Sequence, residues 1–235
     1  MSPMMPPTTP QFDPTSGESD AMAQAKAAFL LIMRARGIQD VNVLRALETV
    51  PREIFVPHRY QDLARRHLAL PLRCGQTLPE PFLAARMIEA LELAAHHRVL
   101  EIGAGSGYAT ALIARIAREV VSIERFQSLA IEAAARLARL GFDRASVAWG
   151  DGLAIPPEAG PFDRIIVQGA LLEAPGSLVA LLGPGGVLVM ARPDPGDPRR
   201  QHVVRLMRNG AGGFNAFVVC PCRLQPILPG ASRCL

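Results

Sequence analysis

Within RVLEIGAGSGYAT, Gly103, Gly105 and Gly107 follow the apolar residues Val99, Leu100 and Ile102, and Glu101 adds a carboxylate to the same short run. Glycines after a buried strand let the backbone turn sharply and approach a ligand that side chains would block. A pyrophosphate-binding loop wants G-x-G-x-x-G, whose third glycine would fall where Tyr108 stands. The spacing here is G-x-G-x-G. A carboxylate at Glu101 would repel a pyrophosphate and attract a ligand carrying a sulfonium and an ammonium group. The loop therefore points to S-adenosyl-L-methionine, held by Glu101, Gly103, Ala104, Gly105 and Gly107.

Two later acidic residues extend the pattern. EVVSIE ends at Glu124, about 20 positions beyond the loop, the offset of a ribose-binding carboxylate. Gly150-Asp151-Gly152 follows the strand-like ASVAW, so Asp151 is expected to accept from an adenine amino group, with Gly152 beside it.

These residues need a frame to hold them. From Arg98 onward strands are expected at 98–102, 119–124, 145–149, 164–168 and 186–191, and helices at 107–117, 127–140 and 176–182. Such alternation predicts an α/β fold: a Rossmann-like, doubly wound, mostly parallel sheet. HVVRLM, the turn NGAGG and FNAFVVC read as a C-terminal antiparallel hairpin. Helices precede the sheet. One is expected over 21–36 with Gly37 as its stop, a second is capped by Asp40 and ends at Val50-Pro51, and a third starts at Pro81. Residues 55–81 read as a long irregular segment laid over the domain.

The chain has 235 residues and an apolar fraction of 49%, enough for one such domain over 21–235. Within it, 21–97 form a helical and loop cap, 98–225 the α/β core, and 226–235 a loose tail. The first twenty residues, rich in Pro, Ser, Thr and Met, bury too little to offset ordering and are expected to be a disordered leader. They lack the basic start and apolar run of a secretory signal, and no later run is long enough for a membrane helix, so a cytoplasmic protein is expected. The net charge of +4 is spread along the chain without a long basic run, which argues against a nucleic-acid partner. Cys220-Pro221-Cys222 with distant Cys74 and Cys234 does not match zinc spacings, so no metal site is expected and the cysteines are read as free thiols. His96-His97, just before the first strand of the sheet, are expected at the surface. Nothing in the pattern specifies an oligomeric state.

The order of motifs resembles the protein-L-isoaspartate O-methyltransferase family. VPREIFV (50–56), ALPL (69–72), GQT (75–77), ARMIEALEL (85–93), VLEIGAGSGYATA, VSIER, GDG, PFDRIIV and GPGGVLV follow in family order. VPREIFV and GQT carry the likeness best, because the glycine loop is shared by many methyltransferases. The resemblance implies methyl transfer from S-adenosyl-L-methionine to the α-carboxylate of isoaspartyl residues in damaged proteins or peptides. The ester would then collapse to a succinimide that can reopen to aspartate. It also implies that Thr77 supplies a hydroxyl to the acceptor. The family's G-x-T-x-S serine is replaced by Pro79, its V-x-A-A-P by VQGAL (167–171), and its R-F-V-P-L by RLQPI (223–227). Those departures leave two further expectations open: a related methyltransferase with another acceptor, or a weakened cofactor-binding homologue acting through a partner.

Overall fold

The computed structural model describes residues 14–197, 199–209 and 213–233. Leader residues 1–13, turn residues 210–212 and Cys234 lie outside them. The sheet is built on β3 (Arg98–Ile102), β4 (Glu119–Glu124), β5 (Ala145–Trp149), β6 (Phe162–Ala170), β7 (Leu182–Pro193), β8 (Gln201–Arg208) and β9 (Phe214–Cys222). Their order across the sheet is β5-β4-β3-β6-β7-β8-β9. The pairs from β5 to β7 are parallel, while β7–β8 and β8–β9 are antiparallel. This is the expected doubly wound sheet closed by a hairpin. Val99, Leu100 and Ile102 are buried, as a central strand covered on both faces requires.

The helices are α1 (Pro14–Ala35), α2 (Val41–Thr49), α3 (Pro81–Glu89), α4 (Tyr108–Ala114), α5 (Gln127–Arg139) and α6 (Gly176–Ala180). Asp40 caps α2 as anticipated, its carboxylate accepting from the amides of Asn42 at 2.7 Å and Val43 at 3.2 Å. Helix α1 begins at Pro14, inside the segment expected to be disordered. Between α2 and α3, two short 3₁₀ turns lead into a small antiparallel pair, β1 (Leu70–Pro71) and β2 (Thr77–Leu78). The N-terminal helices share one core with the sheet: Met33, Leu47, Phe55 and Ile88 pack in the same cluster as Val99, Leu112 and Val189.

Three expectations are corrected by packing. His97 is buried at 6% exposure, where its Nδ1 accepts from the amide of Ala94 at 2.9 Å. Burial, followed by the nearby Arg164 guanidinium, lowers its pKa. Residues 226–233 are not loose, because Ile227 donates its amide to Ala170 O at 2.9 Å and Ala170 donates its own to Gln225 O at 2.8 Å. Farther on, Ser232 donates to Arg125 O at 2.7 Å, and Gln127 donates to Ser232 O at 3.0 Å. The third correction concerns β6 and β7, which run longer than the expected 164–168 and 186–191 because each continues along its neighbour.

Candidate active site

The C-terminal ends of β3, β4 and β6 open into a cavity of about 1100 Å³, the position where open α/β sheets bind ligands. One side is the glycine loop with Gly103, Ala104, Gly105 and Ser106. The opposite side is formed by Gln76–Glu80 and by residues 220–228.

Gly105 shows why the loop has its composition. It adopts φ +55°, a left-handed conformation that disfavours any side chain. Its amide donates to Glu124 Oε2 at 2.8 Å, while Glu124 Oε1 accepts from the amide of Phe126 at 2.9 Å. Glu124 lies on the cavity wall with 4% exposure, so the end of β4 and the loop are clasped by one carboxylate. Gly152 also lines the cavity, and a Cβ there would lie 2.5 Å from Ile102 Cγ2. Only glycine lets those two segments meet.

Other expected residues stand behind the wall rather than on it. Glu101 is fully buried and accepts from Thr110 Oγ1 at 2.5 Å, Ser122 Oγ at 2.8 Å and Gln168 Nε2 at 3.0 Å. Burial raises its pKa, and the three hydrogen bonds counter that shift. It therefore does not line the cavity, contrary to the expected direct attraction of a cationic ligand. Gly107 caps α4 and packs against α5, where a Cβ would come within 3.3 Å of Ala133 Cβ. Asp151 is likewise engaged elsewhere: Oδ1 accepts from Leu153 N at 2.9 Å and Oδ2 from Gly230 N at 2.7 Å. It pins residue 230 instead of facing the cavity.

Thr77 and Pro79 both line the wall formed by residues 76–80. That wall is held by Arg52 of VPREIFV, whose guanidinium is 4% exposed. Arg52 donates to Ala64 O at 2.5 Å and Pro79 O at 2.8 Å. A charged donor of this kind makes a stronger bond than a neutral one, so the irregular segment is tied down in its interior and near its C-terminal end. Among the described residues Arg52's Nε is buried without a partner, and the desolvated guanidinium has a lowered pKa.

Sequence reasoning missed Ser106, Gln168, Arg52 and the strap at 225–232. Ser106 Oγ, on a residue of the cavity wall, is buried without a hydrogen-bond partner among the described residues. An orphaned hydroxyl there suits a ligand with polar groups. The strap crosses the cavity's rim and joins the three segments that depart from the family pattern. Gln225 Nε2 donates to Gly75 O at 2.8 Å, and Ile227 fills the space that a Cβ on Gly169 would occupy. Among the described residues, no three His, Cys, Asp or Glu side chains gather as a metal site, and no helix is long and apolar enough to cross a membrane.

Comparison with known proteins agrees with this geometry. Residues 24–228 match the model of the protein-L-isoaspartate(D-aspartate) O-methyltransferase family. Protein-L-isoaspartate O-methyltransferase 2 of Rhodopseudomonas palustris (strain HaA2) is 47% identical over 208 residues, covering 88% of this chain and 94% of the relative. The Caulobacter sp. (strain K31) protein-L-isoaspartate O-methyltransferase is 41% identical, covering 90% of this chain and all of its own length. A solved protein-L-isoaspartate O-methyltransferase superposes with a TM-score of 0.74 at 25% identity, covering 86% of this chain and 65% of that one. A Plasmodium falciparum structure of similar description, in complex with S-adenosyl-L-homocysteine, shares the fold with a TM-score of 0.73 at 21% identity over 86% of this chain and 97% of that one. The fold and glycine loop define a methyltransferase. The chain belongs to the protein-L-isoaspartate(D-aspartate) O-methyltransferase family.

Proposed function

We propose that this chain transfers a methyl group from S-adenosyl-L-methionine to the free α-carboxylate of isoaspartyl residues in proteins and peptides. The carrying observation is the single cavity that joins the glycine loop and Glu124 to the Thr77–Pro79 wall. The residues fit the cofactor: the Ser106 hydroxyl, without a partner among the described residues, and the Glu124 carboxylate on the cavity wall match a ligand with a diol and a polar amino-acid end. When bound, the cofactor supplies an electrophilic methyl. Glu124 would accept from the ribose hydroxyls, and Gly152 on the cavity wall would lie beside the adenine.

An α-carboxylate with a pKa of roughly 3.5 is already ionised at neutral pH, so the chain needs no general base. Its work is to hold the nucleophile in line and keep water out. Thr77 donates its hydroxyl to a carboxylate oxygen. Pro79 offers neither hydroxyl nor N–H, and Arg52 holds its carbonyl in place. Residues 225–228 of the strap complete the wall of the site.

A second reading keeps the cofactor and changes the acceptor, and one observation favours it. Gln225 and Ile227 of RLQPI touch Gly75 of the G-x-T-x-S segment and Gly169 of VQGAL, so the segments that carry the departures share one strap. Labelled methyl transfer to an isoaspartyl peptide, against its normal aspartyl twin, separates the two. Base-labile label on the isoaspartyl peptide alone is expected. No label on either peptide, from protein that binds the cofactor, would refute the isoaspartyl acceptor and move the search to another carboxylate or a partner-binding role.

A further inference from the structure

Gln168 stands at the end of β6, on the cavity wall, with its side chain beside the glycine loop: its Cβ is 3.5 Å from where a Cβ on Gly103 would lie. Its amide nitrogen is committed to the buried Glu101 carboxylate at 3.0 Å. Glu101 also takes the Thr110 and Ser122 hydroxyls, so three donors converge on an acceptor-only group. This fixes which way the Gln168 amide points. Its Oε1 faces away from Glu101, and among the described residues no donor reaches it. The wall therefore presents an oriented acceptor, backed by a buried carboxylate, immediately next to the loop.

Sheet order shows which part of a ligand meets that acceptor. Resting on the cofactor reading above, Glu124 on β4 marks the ribose and Gly152 beyond β5 marks the adenine. Both lie on one side of β3, whereas β6 and Gln168 lie on the other. A ligand laid across the loop with its nucleoside over β4 and β5 extends its amino-acid end toward β6. Of the two cationic groups at that end, a sulfonium carries no hydrogen to donate, and the α-ammonium carries three.

We propose that Gln168 is a cofactor-binding residue that accepts a hydrogen bond from the α-ammonium of the methionine moiety, with Glu101 as the positioning residue that orients its amide. The carboxylate thus acts on the cofactor through Gln168 rather than by direct contact. Of VQGAL, Gln168 is the residue that lines the cavity.

Calorimetric titration of the full chain and of Gln168→Leu with two ligands tests this. S-adenosyl-L-homocysteine carries the ammonium, and 5′-methylthioadenosine lacks the amino-acid end altogether. Loss of a hydrogen bond to a charged group should weaken S-adenosyl-L-homocysteine by about tenfold to a hundredfold. Binding of 5′-methylthioadenosine should stay within about twofold, which also reports that the variant is folded. If Gln168→Leu does not fold, Gln168→Met, unbranched and of equal length, reads the same contact. Unchanged affinity for S-adenosyl-L-homocysteine would overturn the assignment, and so would an equal loss for both ligands. Failure of the unsubstituted chain to bind either ligand would instead overturn the cofactor reading beneath it.

Discussion

Replacing Gly169 with alanine tests how tightly the strap is built into the site. A Cβ at this position would lie 2.5 Å from Ile227 Cδ1, 2.7 Å from Ile227 Cγ1 and 2.9 Å from Gln225 O. The isoleucine tip can rotate away, but the carbonyl is backbone and is held by the Ala170 amide at 2.8 Å. Overpacking of this kind costs about 1–3 kcal/mol, paid either by the fold or by lifting the strap. Urea unfolding of Gly169→Ala, Ile227→Ala and the double variant should give a coupling energy of about 1 kcal/mol or more, because removing the isoleucine makes room for the methyl. Hydrogen exchange should show faster exchange at the Ile227 and Ser232 amides in Gly169→Ala, whose protection depends on the strap staying down. Two single effects that add within about 0.5 kcal/mol, together with unchanged amide protection, would refute this account.

Other predictions follow from the same geometry. Glu124→Ala should weaken S-adenosyl-L-homocysteine by about 1.5–3 kcal/mol, measured by calorimetry, since charge-assisted contacts are lost. It also frees the Gly105 amide, so unchanged affinity would remove Glu124 from the binding surface. Pro79→Ser restores a hydroxyl and an N–H to the acceptor wall, and isoaspartyl methylation should accelerate, up to about 10² to 10³-fold if one positioned donor is regained. No gain in rate in a steady-state assay would mean that the loop itself has moved or that the acceptor has changed. His97 is held neutral by burial, so its folded pKa lies below its unfolded value near 6.5. The unfolded chain then binds the extra proton first, and stability should fall as pH drops below about 6.5. Thermal melts from pH 5 to pH 8 should show that slope in the unsubstituted chain and a shallower one in His97→Asn.

The α/β alternation was legible because parallel strands buried on both faces leave short apolar runs that helices must separate. The glycine loop and Glu124 were legible for a similar reason: backbone turns and strand-end carboxylates act locally, within about 20 residues. The charge of Glu101 suggests direct attraction of a cationic ligand, whereas its place in the fold is decided by Ser122 across the sheet and by Gln168, 67 positions away. Asp151 illustrates the same limit, since its partner Gly230 is 79 positions distant in a segment with no periodicity. The strap holds its shape through Gln225, Ile227 and Ser232 meeting other segments, none of which composition can announce. His97 sits in a connection, which suggests the surface, but its ring accepts from its own turn at Ala94 and is buried.

The strap touches both halves of the cavity at once. Gln225 reaches Gly75 on the acceptor side, while residues 230 and 232 reach Asp151 and Arg125 on the nucleoside side. Any ligand that settles one end lowers the ordering entropy left for the other. Cofactor and acceptor affinities should therefore rise together, and linkage makes the factor the same in both directions. The two binding events then share a single conformational cost, so binding of the methyl donor prepares the chain to take the damaged peptide.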